Sequence, residues 1–292
     1  MDMVTIDQER CNLCGLCISV CVRRIIEEGD DSVRITDPMM CILCGHCKAV
    51  CPEDAPNIPS LKEEEFEPLP PKEDLPKADQ LMGFFRSRRS TRIYGKEPVE
   101  RDKMEKIIEA GRFAPTGGNR QPIRYVVVHT PDKMEMIRKM TFETLVEEGA
   151  RIDNAVKRHG ENGEPISPED MLRHVYTDIW RDIAEIYQQQ GKDLLFYHAP
   201  VLVICHFDPE VTTTAEVDAG MAAMQMALMA EALGLGTCYC GFLCMAIRAS
   251  LGLRDALQIP VGDRVPVSFM LGYPDVPFIK LVSRDPAHVK WL

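Results

Sequence analysis

Long apolar runs are missing from this 292-residue chain. Its apolar segments, of which Pro200–Cys205 is typical, fall far short of the roughly 20 residues that cross a bilayer. No apolar leader precedes the first charged residues, so no secretory signal is read and the expected location is the cytoplasm, away from any membrane. A basic surplus is missing too: 34 Lys and Arg face 45 Asp and Glu, a net charge of −11, which argues against a nucleic-acid partner. The glycine signatures G-x-G-x-x-G and the P-loop do not occur, which excludes the Rossmann and P-loop modes of holding a cofactor.

Cysteine, by contrast, is abundant: there are twelve, eight of them within the first 51 residues. Cys11, Cys14, Cys17 and Cys21 follow C-x2-C-x2-C-x3-C, and Cys41, Cys44, Cys47 and Cys51 repeat the spacing 30 residues later. The segments RCNLCGLCISVC and MCILCGHCKAVC agree at seven of twelve positions, an internal duplication. In such runs three thiolates hold one iron–sulfur cubane and the fourth reaches across to the other. Cys11, Cys14, Cys17 and Cys51 are therefore assigned to one [4Fe–4S] cluster, and Cys41, Cys44, Cys47 and Cys21 to a second. Zinc sites usually show separated ligand pairs rather than this density, and disulfides fit secreted chains. Gly15 and Gly45 fall where the chain must wrap tightly, and His46 is read as an exposed neighbour rather than a ligand.

Over residues 1–60 this pattern resembles the two-cluster bacterial ferredoxins. Their runs end in C-P, which Cys51-Pro52 satisfies and Cys21-Val22 does not, so a looser first site is expected. Residues 61–79 carry seven carboxylates, three lysines and four prolines, the composition of a semi-extended linker.

Residues 80–292 read as an α-rich arrangement around few strands. Helices are expected near 80–88, 100–113, 131–155, 169–190, 214–233 and 244–251, strands at 123–129, 200–207 and 265–272, and a break over 155–168. Three stretches carry chemistry. In RSRRSTRIYG, Arg88, Arg89, Ser90 and Arg92 offer forked donors and a hydroxyl suited to a phosphate dianion, although basic residues ending a helix also simply complement its dipole. In FAPTGGNRQP, Gly117 and Gly118 let backbone approach a flat ligand, with Asn119 and Gln121 able to read ring heteroatoms. LGLGTCYCGF combines two glycines with a short strand-like piece, and the methionines of the preceding helix read as interface core.

In this order and spacing, with YHAPVLVICHF and the terminal LGYPD, these stretches resemble the nitroreductase family of FMN enzymes. The resemblance implies an α+β domain at 80–292 that forms a homodimer with two interfacial FMN sites. It implies that Arg88, Arg89, Ser90 and Arg92 hold the FMN phosphate, with Arg284, and less firmly Lys280, closing from the tail. It implies that Pro115, Thr116, Gly117 and Asn119 reach the partner's flavin, and that backbone N–H groups around Cys240 and Gly241 face flavin N5. Family members often carry Ser-Ser where this chain has Thr116-Gly117. Cys238, Cys240 and Cys244 are not part of the family pattern. Their C-x-C-x3-C run admits a third metal site, a redox-active thiol pair or simple packing. Packing is favoured, with the Cys240 thiol lining the flavin site, while Cys205 reads as a small buried hydrophobe.

The whole then reads as a small ferredoxin-like domain joined to an FMN domain. Electrons from NAD(P)H or a low-potential redox protein would reach an electron-poor small molecule: a nitroaromatic, a quinone or an activated alkene. No side chain is assigned as catalytic acid or base. A relay that serves a protein partner, with no small-molecule substrate, is the competing reading.

Overall fold

The computed structural model describes residues 3–292 and divides into two compact units. The first runs to Pro76 and takes in Gly118–Arg120; the second comprises Lys77–Gly117 and Gln121–Leu292.

In the first unit, β1 (Thr5–Ile6) pairs antiparallel with β4 (Pro56–Asn57), and β2 (Ile26–Glu28) with β3 (Val33–Ile35). Two short helices, α1 (Leu16–Val20) and α2 (His46–Ala49), follow Gly15 and Gly45, the glycines after the second cysteine of each run. The core is small: Val4, Ile25, Ile26, Val33 and Ile58, joined by Cys17 and Cys47. So little apolar burial leaves a domain of this size dependent on groups bound by its cysteines.

The duplication extends to the backbone turns. Left-handed residues fall at Leu13, Gly15 and Arg24 (φ 58, 71 and 53°) and again at Leu43, Gly45 and Asp54 (φ 54, 74 and 54°). An L-residue in this region costs roughly 1–2 kcal/mol, so its recurrence marks a turn that the ligand geometry demands. The turn after Cys21 forms as it does after Cys51, with Val22 in place of proline.

In the second unit a four-stranded sheet has the order β5-β6-β8-β7, every neighbouring pair antiparallel. The strands are β5 (Arg124–Val128), β6 (Val201–Phe207), β7 (Gly236–Tyr239) and β8 (Arg264–Gly272). All seven residues of β6 are buried, because helices cover both faces of the sheet. Leu202 and Ile204 join a core with residues of α5 (Pro131–Asn162), α7 (Thr177–Gln190) and α9 (Gly241–Ala249). Val201, Val203 and Cys205 face the other way, toward α4 (Arg101–Arg112) and α8 (Ala215–Ala232). Helix α3 (Ala78–Ser87) precedes the arginine stretch, α6 (Pro168–Arg173) follows α5, and α10 (Leu251–Ala256) follows α9. The α+β reading holds.

Three expectations are corrected in detail. Helix α5 runs through the expected break to Asn162 and stops only at Gly163, whose φ of 68° supplies the left-handed cap. The 169–190 helix is divided by a 3-10 turn at His174–Tyr176. Met226, read as interface core, lies fully buried within the chain against α4.

Candidate functional site

The eight N-terminal cysteines gather in two sets. Cys11, Cys14, Cys17 and Cys51 line one recess with Gly15, Val33 and Ala55. Cys21, Cys41, Cys44 and Cys47 line the other with Val20, Ile26 and Ile58, and His46 stands exposed at its rim. The fourth cysteine of each run thus crosses to the other run's recess. Among the described residues no three His, Cys, Asp or Glu side chains converge closely enough to hold a single ion; each sulfur set rings a space instead. Backbone N–H groups donate to sulfur, from Leu43 to Cys41 Sγ at 3.4 Å and from Ala55 to Cys51 Sγ at 3.4 Å. Burial pushes the Cys47 thiol up to about 11 and raises Cys17 as well, so iron must displace protons the site holds firmly. The residues present fit cubane clusters.

In the second unit, Arg88 is the telling side chain. Its Nε and Nη1 are buried and have no hydrogen-bond partner. A buried guanidinium left unpaired is costly, and the remedy is an anion. Arg88, Arg89 and Arg284 line one recess with Phe85, Arg86, Val282 and Ser283, so the tail arginine joins the set nearly 200 residues away. Lys280 does not line it.

Ser90 and Arg92 turn elsewhere. Ser90 bridges to Thr237 of β7, and Thr91 N–H donates to the Thr237 carbonyl at 2.9 Å. Gly236 permits this contact, because a Cβ there would lie 2.2 Å from Thr91 Oγ1. The Ser90 and Arg92 side chains interact with the Cys238 thiol, and Arg92 also with Tyr197. Burial raises the Cys238 thiol against the opposing pull of Arg92, Ser90 and Arg88. Two further buried hydroxyls, Tyr94 and Thr237, have no partner. Tyr197 opens the YHAPVLVICHF stretch but is not among the site residues read from the sequence; it and His198 occupy two successive left-handed positions (φ 53 and 54°). The Asp193 carboxylate holds that turn by accepting the N–H groups of Leu195, Phe196 and His198 at 2.8–3.0 Å.

Pro115, Thr116 and Gly117 do not line the arginine recess. Gly117 N–H donates to Asp218 and Gln121 N–H to Thr116 Oγ1 at 3.0 Å. Asn119 is grouped with the first unit, where its carboxamide donates to the Ile42 and Leu43 carbonyls at 3.0 and 2.9 Å.

At the third stretch one expectation changes. The Cys240 N–H donates to the Ser268 carbonyl at 2.9 Å, extending the β7–β8 pairing, and is not free for a ligand. Gly241 opens α9, whose first N–H groups have no acceptor within the helix. The Cys240 thiol is turned into the core, where burial pushes it up to about 12. Cys244 Sγ donates to Ser268 Oγ at 3.4 Å, and Ser268 Oγ to the Cys240 carbonyl at 2.8 Å. Of the three readings open for these cysteines the burial favours packing, and the Cys240 thiol faces the core instead of lining a flavin site.

Comparison with known proteins matches both parts. A profile of the nitroreductase family covers residues 85–273, and one for a 4Fe-4S dicluster domain covers residues 3–52. Iodotyrosine deiodinase 1 of Rattus norvegicus is 32% identical over 220 residues, 74% of this chain and 71% of that protein. The Homo sapiens protein is 26% identical over 205 residues, and the chain spans 65% of its length. A nitroreductase with bound FMN from Bacteroides fragilis has the same fold, with a TM-score of 0.56, 20% identity, and coverage of 73% of this chain and 98% of that one.

Proposed function

Because this chain belongs to the nitroreductase family, we propose that it is an iron–sulfur flavoprotein oxidoreductase carrying two [4Fe–4S] clusters and FMN. The observation that carries the reading is that Nε and Nη1 of the half-buried Arg88 are themselves buried without a hydrogen-bond partner, in one recess with Arg89 and Arg284. These side chains bind a phosphate dianion by charge-assisted hydrogen bonds, and the Gly241 N–H offers a donor to the flavin ring. FMN supplies two-electron reduction, and the clusters, each held by one cysteine set, carry single electrons. Arg92 interacts with Tyr197 and Cys238 and does not join this set. No side chain is assigned a proton; solvent supplies it.

The electron acceptor is an electron-poor small molecule, and the donor is NAD(P)H or a low-potential redox protein. A homodimer completes the site. Its support is the apolar surface left open on the second unit: Met82 and Phe85 of α3, and Phe278, Ile279, Leu281 and Trp291 of the tail, between 42 and 90% exposed.

Anaerobically purified protein should contain about eight iron and eight acid-labile sulfide per chain by the cubane count, with one FMN. Reduction by NADH, NADPH or reduced ferredoxin, followed by screening nitroaromatics, quinones, activated alkenes and iodophenols, identifies donor and acceptor. Rapid cluster and flavin reduction with no turnover of any small acceptor would favour the relay instead.

A further inference from the structure

The two cysteine loops are copies in sequence and backbone but not in surroundings. A Cβ at Gly45 would lie 3.2 Å from two carbons of the Phe66 ring and 3.5 Å from Leu61 Cδ1. At Gly15, the same position in the first copy, nothing lies within 4 Å. Cys14 is exposed where Cys44 is half-buried, and Leu13 is 53% exposed where Leu43 is half-buried.

Leu61 and Phe66 belong to the acidic stretch beyond Ile58, which folds back over the second loop. Leu61 N–H donates to the Ile58 carbonyl at 2.9 Å, and a 3-10 turn follows at Glu63–Glu65. Lys48, its side chain 5% exposed, pins the segment. Its ammonium lies 2.6 Å from Asp54, 3.0 Å from Glu63 and 5.5 Å from the Phe66 ring centroid.

Each sulfur set receives one N–H···S bond of 3.4 Å. The Lys48 charge, which would favour a reduced cluster nearby, is offset by its two carboxylates. What differs is access to water. Reduction adds negative charge to a cluster, and a charge is disfavoured where water is excluded.

We propose that residues 61–66 are a strap that screens the second cluster site from water, so that the two sites fill in a set order. The cluster on Cys11, Cys14, Cys17 and Cys51 takes the first electron. The one on Cys21, Cys41, Cys44 and Cys47 takes the second, at lower potential. Each step moves one electron from an external reductant to a cluster, with no bond made or broken. The proposal rests on the two-cluster reading above.

The test is an anaerobic redox titration of the full-length protein with dithionite, followed by electron paramagnetic resonance. Two one-electron cluster steps are expected. Phe66→Ala should raise the lower midpoint and leave the upper one in place, while Phe66→Leu, which keeps the apolar cover, should preserve the gap. Site identity comes from the unmodified protein, by brief exposure to the ferrous chelator bathophenanthroline disulfonate, then iodoacetamide labelling and peptide mass spectrometry. Cys11, Cys14, Cys17 and Cys51 should label on the order of tenfold sooner than the other four, as for a site with easier local access. Simultaneous labelling, earlier labelling of Cys41, Cys44 and Cys47, or an unmoved lower midpoint in iron-replete Phe66→Ala overturns the strap. An iron content of half the expected value sinks the two-cluster reading itself, a separate and recognisable failure.

Discussion

The Gly117 N–H points into the carboxylate of Asp218, 3.1 Å from Oδ1 and 3.3 Å from Oδ2, and Asp218 is 1% exposed. Thr214 Oγ1 donates to the same carboxylate at 3.2 Å and stands 2.0 Å from where a Cβ on Gly117 would be. A glycine is therefore required at 117, and the loop is latched to the start of α8.

Asp218→Ala should loosen the 115–121 loop and weaken FMN binding. Leaving a buried N–H unsatisfied costs about 1–3 kcal/mol, which is roughly 5- to 150-fold in dissociation constant. Asp218→Asn, which keeps an acceptor, should cost less. Flavin fluorescence titration measures both, and equal affinities across the three proteins would remove the latch from the flavin site.

Arg88→Met should have opposite effects with and without flavin. In flavin-free protein it removes two buried nitrogens that lack hydrogen-bond partners and should raise the melting temperature. With FMN present it should release the cofactor while cluster absorbance stays intact, since a hydrogen bond to a charged group contributes about 1.5–3 kcal/mol. Pairing it with Arg284→Ala should deepen the loss. Full flavin retention in the double variant would exclude this recess as the phosphate site.

Cys240→Ser should keep FMN bound and leave acceptor reduction within about tenfold, a barrier change below roughly 1.4 kcal/mol. The thiol also makes stability depend on alkaline pH. Burial lifts it from 9.0 to about 12, so above pH 9 the unfolded chain loses this proton while the folded chain keeps it. Its contribution is complete below pH 9 and lost as pH rises toward 12. Cys205, raised to about 12 in the same way, acts in the same direction. Denaturant unfolding between pH 8 and about 11 should show falling stability, with a shallower fall in Cys240→Ser; parallel slopes would contradict the thiol's burial.

Removal of residues 278–292 should convert a dimer into a monomer with weakened flavin binding, because it deletes Arg284 and the exposed apolar tail together. Sedimentation velocity reports the first and flavin content the second. Retained dimer with lost flavin would confine the tail's role to the phosphate recess.

Much of the site was legible along the chain. The cysteine spacing anticipated how the eight sulfurs group into two sets, because the tight, repeated turns that gather them follow from local sequence. The apolar run Val201–Phe207 determined a strand buried on both faces. The paired arginines at 88 and 89 pointed to the recess they line, as a forked donor set is a local property. The division of labour within that set was not local. Only the tertiary structure joined Arg284 to Arg88, turned Arg92 toward Tyr197, and spent the Cys240 N–H on Ser268. It also made two duplicated cysteine loops unequal, by laying Phe66 over Gly45 and nothing over Gly15. Spacing specifies which atoms a short turn brings together; whether a buried charge finds a partner, or a loop meets water, depends on segments far away in the chain.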